Sequence, residues 1–156
     1  MDCRERLEAY LRDNGVAFQV QHHPLAYTAQ QVAHSEHVPG RVVAKAVLVL
    51  ADGQIRMLVL PANHHVDLEK VADVLGARNV RLATEAEFGP AFPDCQVGAE
   101  PIFGNLYNLP VYVEQSLTKD DTIITRAGTH TDTLSLKYTD FERLVRPIVA
   151  SFGRLG

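Results

Sequence analysis

Two apolar runs flank Asp52-Gly53, and they constrain this chain more than any other feature. The first, "VVAKAVLVLA", covers residues 42–51; the second, "QIRMLVLP", covers 54–61. Asp-Gly between two such runs is a strong signal for a two-residue hairpin turn. A turn that tight pairs Ala51 with Gln54, and counting back sets Lys45 opposite Leu60. The first run is apolar on both faces, as expected of a central strand covered on both sides. Lys45 is its only charge. A charge taken out of water must be paired, neutralised or used.

The segments around the hairpin read as a mixed α/β order. Residues 4–14 carry Leu7, Tyr10 and Leu11 at helical spacing, with Gly15 as a stop. "VAFQVQHHP" is extended, since Pro24 pushes His23 away from helical angles. "TAQQVAHSEHV" is a second helix with Thr28 as N-cap, ended by Pro39-Gly40. "HHVDLEKVADVLG" is read as a helix with Asp67 near its start and Gly76 at its end, "NVRLA" as a strand, and "TEAE" at 84–87 as a capping box. Residues 89–110 are a Gly- and Pro-rich loop. "VYVEQSL", "TIITRAG" and "HTDTLSLKY" are strand candidates. "TDFERLVRPIVASF" is the expected final helix, capped by Thr139 or Asp140 and interrupted near Pro147.

Composition excludes several classes. The chain has 156 residues, 46% apolar and 22% charged, which suits one domain, 1–156, with a real core. No apolar run approaches the roughly 20 residues of a membrane helix, and the charged N-terminus has no signal-peptide core. The expected location is the cytoplasm, without a membrane partner. There the two cysteines, Cys3 and Cys95, are expected to remain thiols. A net charge of −4 argues against general DNA binding, which wants a basic face, and leaves room for local contact with a single-stranded end.

Three places could carry chemistry. Lys45 could meet an anionic or carbonyl group in a pocket, or its stem could cover apolar surface while its head reaches water. In "RAGTHTDTLSL", His130 and Asp132 share a strand face with Leu134 and Leu136. His130 could orient water or act as a base with Asp132 holding its tautomer, or it could be a hydrogen-bonded structural histidine. Gly128 before them permits a close backbone approach. In "GAEPIFG", residues 98–104, two glycines bracket a proline and an aromatic; such a loop can aim backbone N–H groups at an oxyanion, or simply connect. The seven histidines form no HExxH and no zinc spacing with cysteine, so no metal ligands are assigned. No P-loop, G-x-G-x-x-G or G-x-S-x-G elbow is present, and no cofactor is expected.

Taken in order, "VAKAVLVL", "VLPANHHVDLEKVADVLGARNVRLA", "GAEPIFG" and "AGTHTDTLSLKYTDFERL" resemble the YbaK/ProX family of aminoacyl-tRNA deacylases. That family includes the editing insertion domain of bacterial prolyl-tRNA synthetases. The resemblance runs from about Tyr10 to Phe152. It implies a compact domain with a central mixed, mostly antiparallel sheet surrounded by helices and a pocket for a small aminoacyl group. It implies hydrolysis of the ester between a mischarged amino acid and the tRNA 3′-terminal adenosine, with alanine, serine or cysteine as expected amino acids. The family's lysine falls on Lys45 and its loop glycines on Gly98 and Gly104. Its later glycine falls on Gly128, and a water-placing position on His130. Ala99, Glu100, Pro101 and Phe103 in the loop, Thr129 and Asp132 after it, and Tyr27 and Thr28 at the start of the second expected helix are then expected to line the substrate. Aligned on its two glycines, the loop holds Ile102 where the family usually has proline, and Pro101 comes one residue earlier.

The expected protein is therefore a free-standing trans-editing hydrolase. Water or a substrate hydroxyl attacks an already activated ester, without a covalent enzyme intermediate. The partners are mischarged tRNA and, as a second candidate, a synthetase. The altered loop motivates a rival, a non-catalytic module that binds a tRNA end or a synthetase. A metal-dependent hydrolase rests on the histidine count alone.

Overall fold

The computed structural model describes residues 1–156. Its sheet grows outward from the Asp52-Gly53 turn. Both turn residues have positive φ, 49° and 82°, as the commonest tight hairpin turn demands. The Asp52 carboxylate accepts from the backbone N–H groups of Arg78 and Asn79 at 3.1 and 2.9 Å, which pins the next loop beside the turn. Strands β2 (Val43–Ala51) and β3 (Gln54–Pro61) pair antiparallel, with Ala51 opposite Gln54 and Lys45 opposite Leu60. Hairpin counting alone gave that register.

Eight strands form the main sheet. Besides β2 and β3 they are β1 (Phe18–His22), β5 (Val80–Leu82), β6 (Val111–Glu114), β7 (Thr122–Arg126), β8 (Asp132–Lys137) and β9 (Ile148–Ala150). Their order is β1-β8-β7-β2-β3-β6-β9, with β5 also paired to β2. The β2/β7, β3/β6 and β6/β9 pairs are parallel, and the other four are antiparallel. A separate ribbon joins β4 (His64–Val66) to β10 (Gly153–Leu155).

Helices cover both faces. Those with a packing role are α1 (Cys3–Asp13), α2 (Ala29–Ser35), α3 (Leu68–Leu75) and α5 (Tyr138–Val145); α4 (Glu85–Phe88) is a single capped turn. On one face Leu7 and Leu11 of α1, Tyr138 and Phe141 of α5, and Phe92, Ile102 and Phe103 of the long loop pack on Ala44, Leu48, Met57, Val59 and Leu134. On the other, α2 packs on Val43, Ala62 and Ile124, while Val71 of α3 and Phe152 pack on Val49, Leu58 and Leu60. The two-sided apolarity of β2 follows, because alternate residues enter opposite cores.

Three expectations are corrected. The helix expected from His64 starts only at Leu68; Asp67 caps it by accepting from Glu69 and Lys70 N–H, and His64–Val66 is β4. Its partner β10 lies about ninety residues later in the chain, beyond the reach of local periodicity. The final helix stops at Val145. Arg146 takes φ 51°, the left-handed conformation that closes many helices, and Pro147 after it cannot continue the helix. Ile148–Ala150 then pairs with β6. The helix has no side-chain cap; Lys137, rather than Thr139 or Asp140, is its N-cap. Lastly, Cys3 and Cys95 are not free thiols but a disulfide across 92 residues, with Cα atoms 5.0 Å apart. The fold lays the first turn of α1 on the long loop, where Cys3 N–H donates to Asp94 O at 3.1 Å.

Candidate functional site

Three distant segments meet at one end of β7 and β8. Gly128 N–H donates to Ala99 O at 3.0 Å, and Gln96 N–H donates to Gly128 O at 2.8 Å. His130 N–H donates to the Gln96 side chain at 3.0 Å. These bonds stitch the glycine-bracketed loop to the turn between β7 and β8. Ala26 N–H donates to His130 O, and His23 N–H to Thr131 O, which adds the segment before α2. Two glycines permit the joint. Gly98 and Gly128 have φ of 88° and 92°, and a Cβ on Gly128 would lie 2.5 Å from Cys3 Cβ.

Within the 98–104 loop the expected roles divide. Gly98 is exposed, while Ala99, Glu100, Pro101, Ile102, Phe103 and Gly104 are buried. Phe103 packs edge-on against Phe141 and Tyr10, with centroids at 5.3 and 6.2 Å. It is a core residue rather than a pocket wall, and so is the fully buried Met57. A Cβ on Gly104 would sit 2.7 Å from Val111 Cγ2, so that glycine serves packing. Several backbone donors are already engaged. Gly98 N–H donates to Glu100, Ala99 N–H to Gln96 O, and Ile102 N–H to Thr125 Oγ1 at 3.1 Å. The donors expected to face an oxyanion are thus occupied at these three positions.

The 126–132 turn has the opposite character. His130 is half-buried. Its ring lies 4.9 Å from that of Tyr27, and its Cε1 is the nearest atom to a Cβ built on Gly98, at 3.3 Å. Asp132, expected to hold His130, turns instead to His22. Asp132 also accepts from Thr129 Oγ1 at 2.6 Å and faces Arg4 at 3.6 Å. Burial pushes its pKa up, but Thr129, His22 and Arg4 outweigh this and leave it below the ordinary value. Thr28 is the N-cap of α2, accepting from Gln31 N–H at 3.1 Å, and Tyr27 is 62% exposed.

His130 is held by a residue the sequence reading passed over, Arg126. Its Nη2 donates to His130 Nδ1 at 2.8 Å and to Ala26 O at 2.6 Å. Arg126 is buried, and burial lowers its pKa against the opposing pull of Glu100 and Glu36. Glu100 is raised by burial, against its own N–H, that of Gly98, and Arg126. The available signal was the one that singled out Lys45, a cation in an apolar strand.

Lys45 is half-buried, and burial alone lowers its pKa, with no hydrogen-bonding or charged partner to oppose it. The parallel pairing sets Val43 beside Ile124 and Ala44 beside Thr125. Val43 and Ile124 both pack against α2, so by strand alternation Lys45 and Arg126 project to that same face. The one group of three close metal-type ligands is Cys3, Asp94 and Cys95, whose two sulfurs are bonded to each other.

Lys45 and Arg126 thus share one face of the sheet, and the half-exposed imidazole of His130 is held against Arg126. Residues 23–144 match the family model of the aminoacyl-tRNA editing domain, and the chain belongs to that family. Its YbaK-like fold superposes on a proposed trans-editing enzyme for prolyl tRNA synthetase with a TM-score of 0.85 over 97% of each chain, at 19% identity. The crystal structure of hypothetical protein APE2540 matches with a TM-score of 0.86 at 18% identity, over 96% of this chain and 99% of that one. Glycine dehydrogenase (decarboxylating) of Shewanella sediminis (strain HAW-EB3) is 28% identical over 126 residues, 81% of this chain. The chain spans only 13% of that protein's length.

Proposed function

We propose that this protein is an aminoacyl-tRNA deacylase that acts in trans on mischarged tRNA carrying a small amino acid. The observation that carries the reading is the joint between the 96–102 loop and the 126–131 turn, which holds a half-exposed His130 beside Gly98 in a chain of the editing family. The site would grip only the single-stranded acceptor end, which a net charge of −4 permits. Lys45 binds and orients the terminal adenosine or its phosphate as a point charge.

In the reaction, a water oxygen adds to the acyl carbon while the carbonyl oxygen gains negative charge. The bond to the ribose oxygen then breaks, and that oxygen leaves with the proton the water lost. The products are the free amino acid and a tRNA with an intact terminal hydroxyl. Aminoacyl esters are already activated, so placing the water and stabilising the oxyanion supply the catalysis. No helix is long and apolar enough to cross a membrane, and the proposed work belongs in the cytoplasm, where charged tRNA is.

A panel of mischarged tRNAs tests this. One ester should be cleaved well above its spontaneous rate, and Lys45→Ala should lower kcat/KM by about 10²-fold or more, the scale of a lost charge-assisted contact. If no ester is cleaved, or if Lys45→Ala cleaves as well as the parent, the reading fails. Tight tRNA binding without turnover would favour a non-catalytic module, to which the occupied loop donors also point.

A further inference from the structure

The geometry points to Arg126 as a positioning residue that fixes the His130 tautomer and so makes His130 a hydrogen-bond donor rather than a base. The inference rests on the editing reading for its chemistry, but its structural half stands on the Arg126–His130 contact itself.

A guanidinium carries only donors. The ring nitrogen that meets Arg126 Nη2 at 2.8 Å must therefore be the acceptor, and Nδ1 carries no proton. In the neutral ring the proton then sits on Nε2. With one nitrogen accepting from Arg126 and the other already protonated, His130 has no lone pair free to take a proton from water. What it offers is Nε2–H, which has no partner within the protein and sits on a half-exposed ring beside exposed Gly98. That donor suits a substrate carbonyl oxygen as it becomes an oxyanion.

The support for Arg126 is built into the fold. The two hydrogens of Nη2 are divided between Ala26 O, at 2.6 Å, and His130, so the guanidinium cannot turn without losing both. Its Nε is buried and has no partner. Glu100 and Glu36 supply the facing negative charge, and Glu100 is itself tied by Gly98 N–H at 3.0 Å. The 98–104 loop thus contributes a carboxylate that steadies Arg126, Arg126 sets the ring, and the ring presents the donor. With Gly98, Ala99 and Ile102 N–H groups engaged elsewhere, this Nε2–H takes over what the loop was expected to do.

The test has two arms. Nitrogen-15 NMR of the histidine rings in the wild-type protein should show His130 with Nδ1 unprotonated and Nε2 protonated. Arg126→Met should release that preference; a wild-type ring protonated at Nδ1 overturns the inference whatever the activity. In the deacylation assay, His130→Gln keeps an N–H donor near the Nε2 position, while His130→Ala removes it. His130→Ala should lose about 10²–10³-fold in kcat, the range for one lost oxyanion donor, and His130→Gln should recover at least a tenth of wild-type kcat. Equal losses in the two variants overturn the donor role. If the wild-type protein cleaves no ester, the editing reading fails, and the NMR arm still decides the tautomer. Should Arg126→Met not fold, the wild-type spectrum and the His130 pair decide alone.

Discussion

The two segments that meet at Gly98 and His130 are built in opposite senses. The 98–104 loop turns inward. All but its first residue is buried, Ile102 and Phe103 belong to the main core, and its Gly98, Ala99 and Ile102 N–H groups are spent on internal bonds. The 126–132 turn is rooted in buried Arg126 and Asp132 and offers Thr129 and His130 towards solvent. A glycine-bracketed loop and a polar turn look equally functional in a sequence. Here one is a wedge packed into the core, and the other carries the half-exposed histidine to which the proposed chemistry is assigned.

Breaking the shared support should have the largest effect. The Cys3–Cys95 bridge holds α1 to the long loop while Cys3 also backs Gly128. Its 92-residue separation predicts about 4.6 kcal/mol from restricting the unfolded chain. Reduction, or Cys95→Ser, should lower the urea midpoint accordingly and speed amide exchange at Gly98 and Gly128 more than at Ile102. Unchanged exchange at both glycines would remove the bridge from any part in holding the joint.

Substituting the two glycines sharpens the contrast. Both have positive φ, which disfavours any side chain. On Gly128 a Cβ also meets Cys3 Cβ and Sγ at 2.5 and 2.6 Å, so Gly128→Ala should cost about 2–3 kcal/mol from strain and overpacking together. On Gly98 the only neighbour is His130 Cε1 at 3.3 Å. Gly98→Ala should cost about 1 kcal/mol and act mainly on deacylation by displacing the imidazole. Equal stability losses with equal activity would erase the distinction.

The smallest effect lies in the pH dependence of stability, where the two carboxylates oppose each other. Asp132 is held below its ordinary 3.8, so its stabilisation is complete above that pH and is lost as pH falls through the lowered value. Glu100 is held above its ordinary 4.5 by burial, so its ionisation opposes folding at neutral pH, and that penalty fades as pH falls through the raised value. Acidification from neutral should first relieve Glu100 and later cost Asp132. Glu100→Gln should remove the first slope and Asp132→Asn the second, as read from denaturation midpoints across the pH range.

Much of the fold was legible because its signals are local. Asp52-Gly53 set the hairpin and its register, and the apolarity of β2 announced two covered faces. Thr28 and Thr84 do cap their helices, each answered by a Gln or Glu three residues on. The failures share a cause. β4, β9 and the disulfide each need a partner far along the chain, and nothing in a nearby window distinguishes "HHV" or "IVA" from the helices they adjoin. Pro147 marked an interruption but could not say that the chain resumes as a strand on β6.

The site divides in the same way. Sequence alone determined that Lys45 would lie opposite Leu60 in a central strand, that Gly128 would allow a close backbone approach, and that His130 was a candidate for chemistry. Tertiary structure alone decided which nitrogen of His130 is free, because that depends on Arg126 arriving from β7 with only donors to give. It also decided that Asp132 faces His22 and that Phe103 belongs to the core. Local propensity sets which conformations a segment prefers; a tautomer, an ion pair or a buried ring is set by what the fold brings against it.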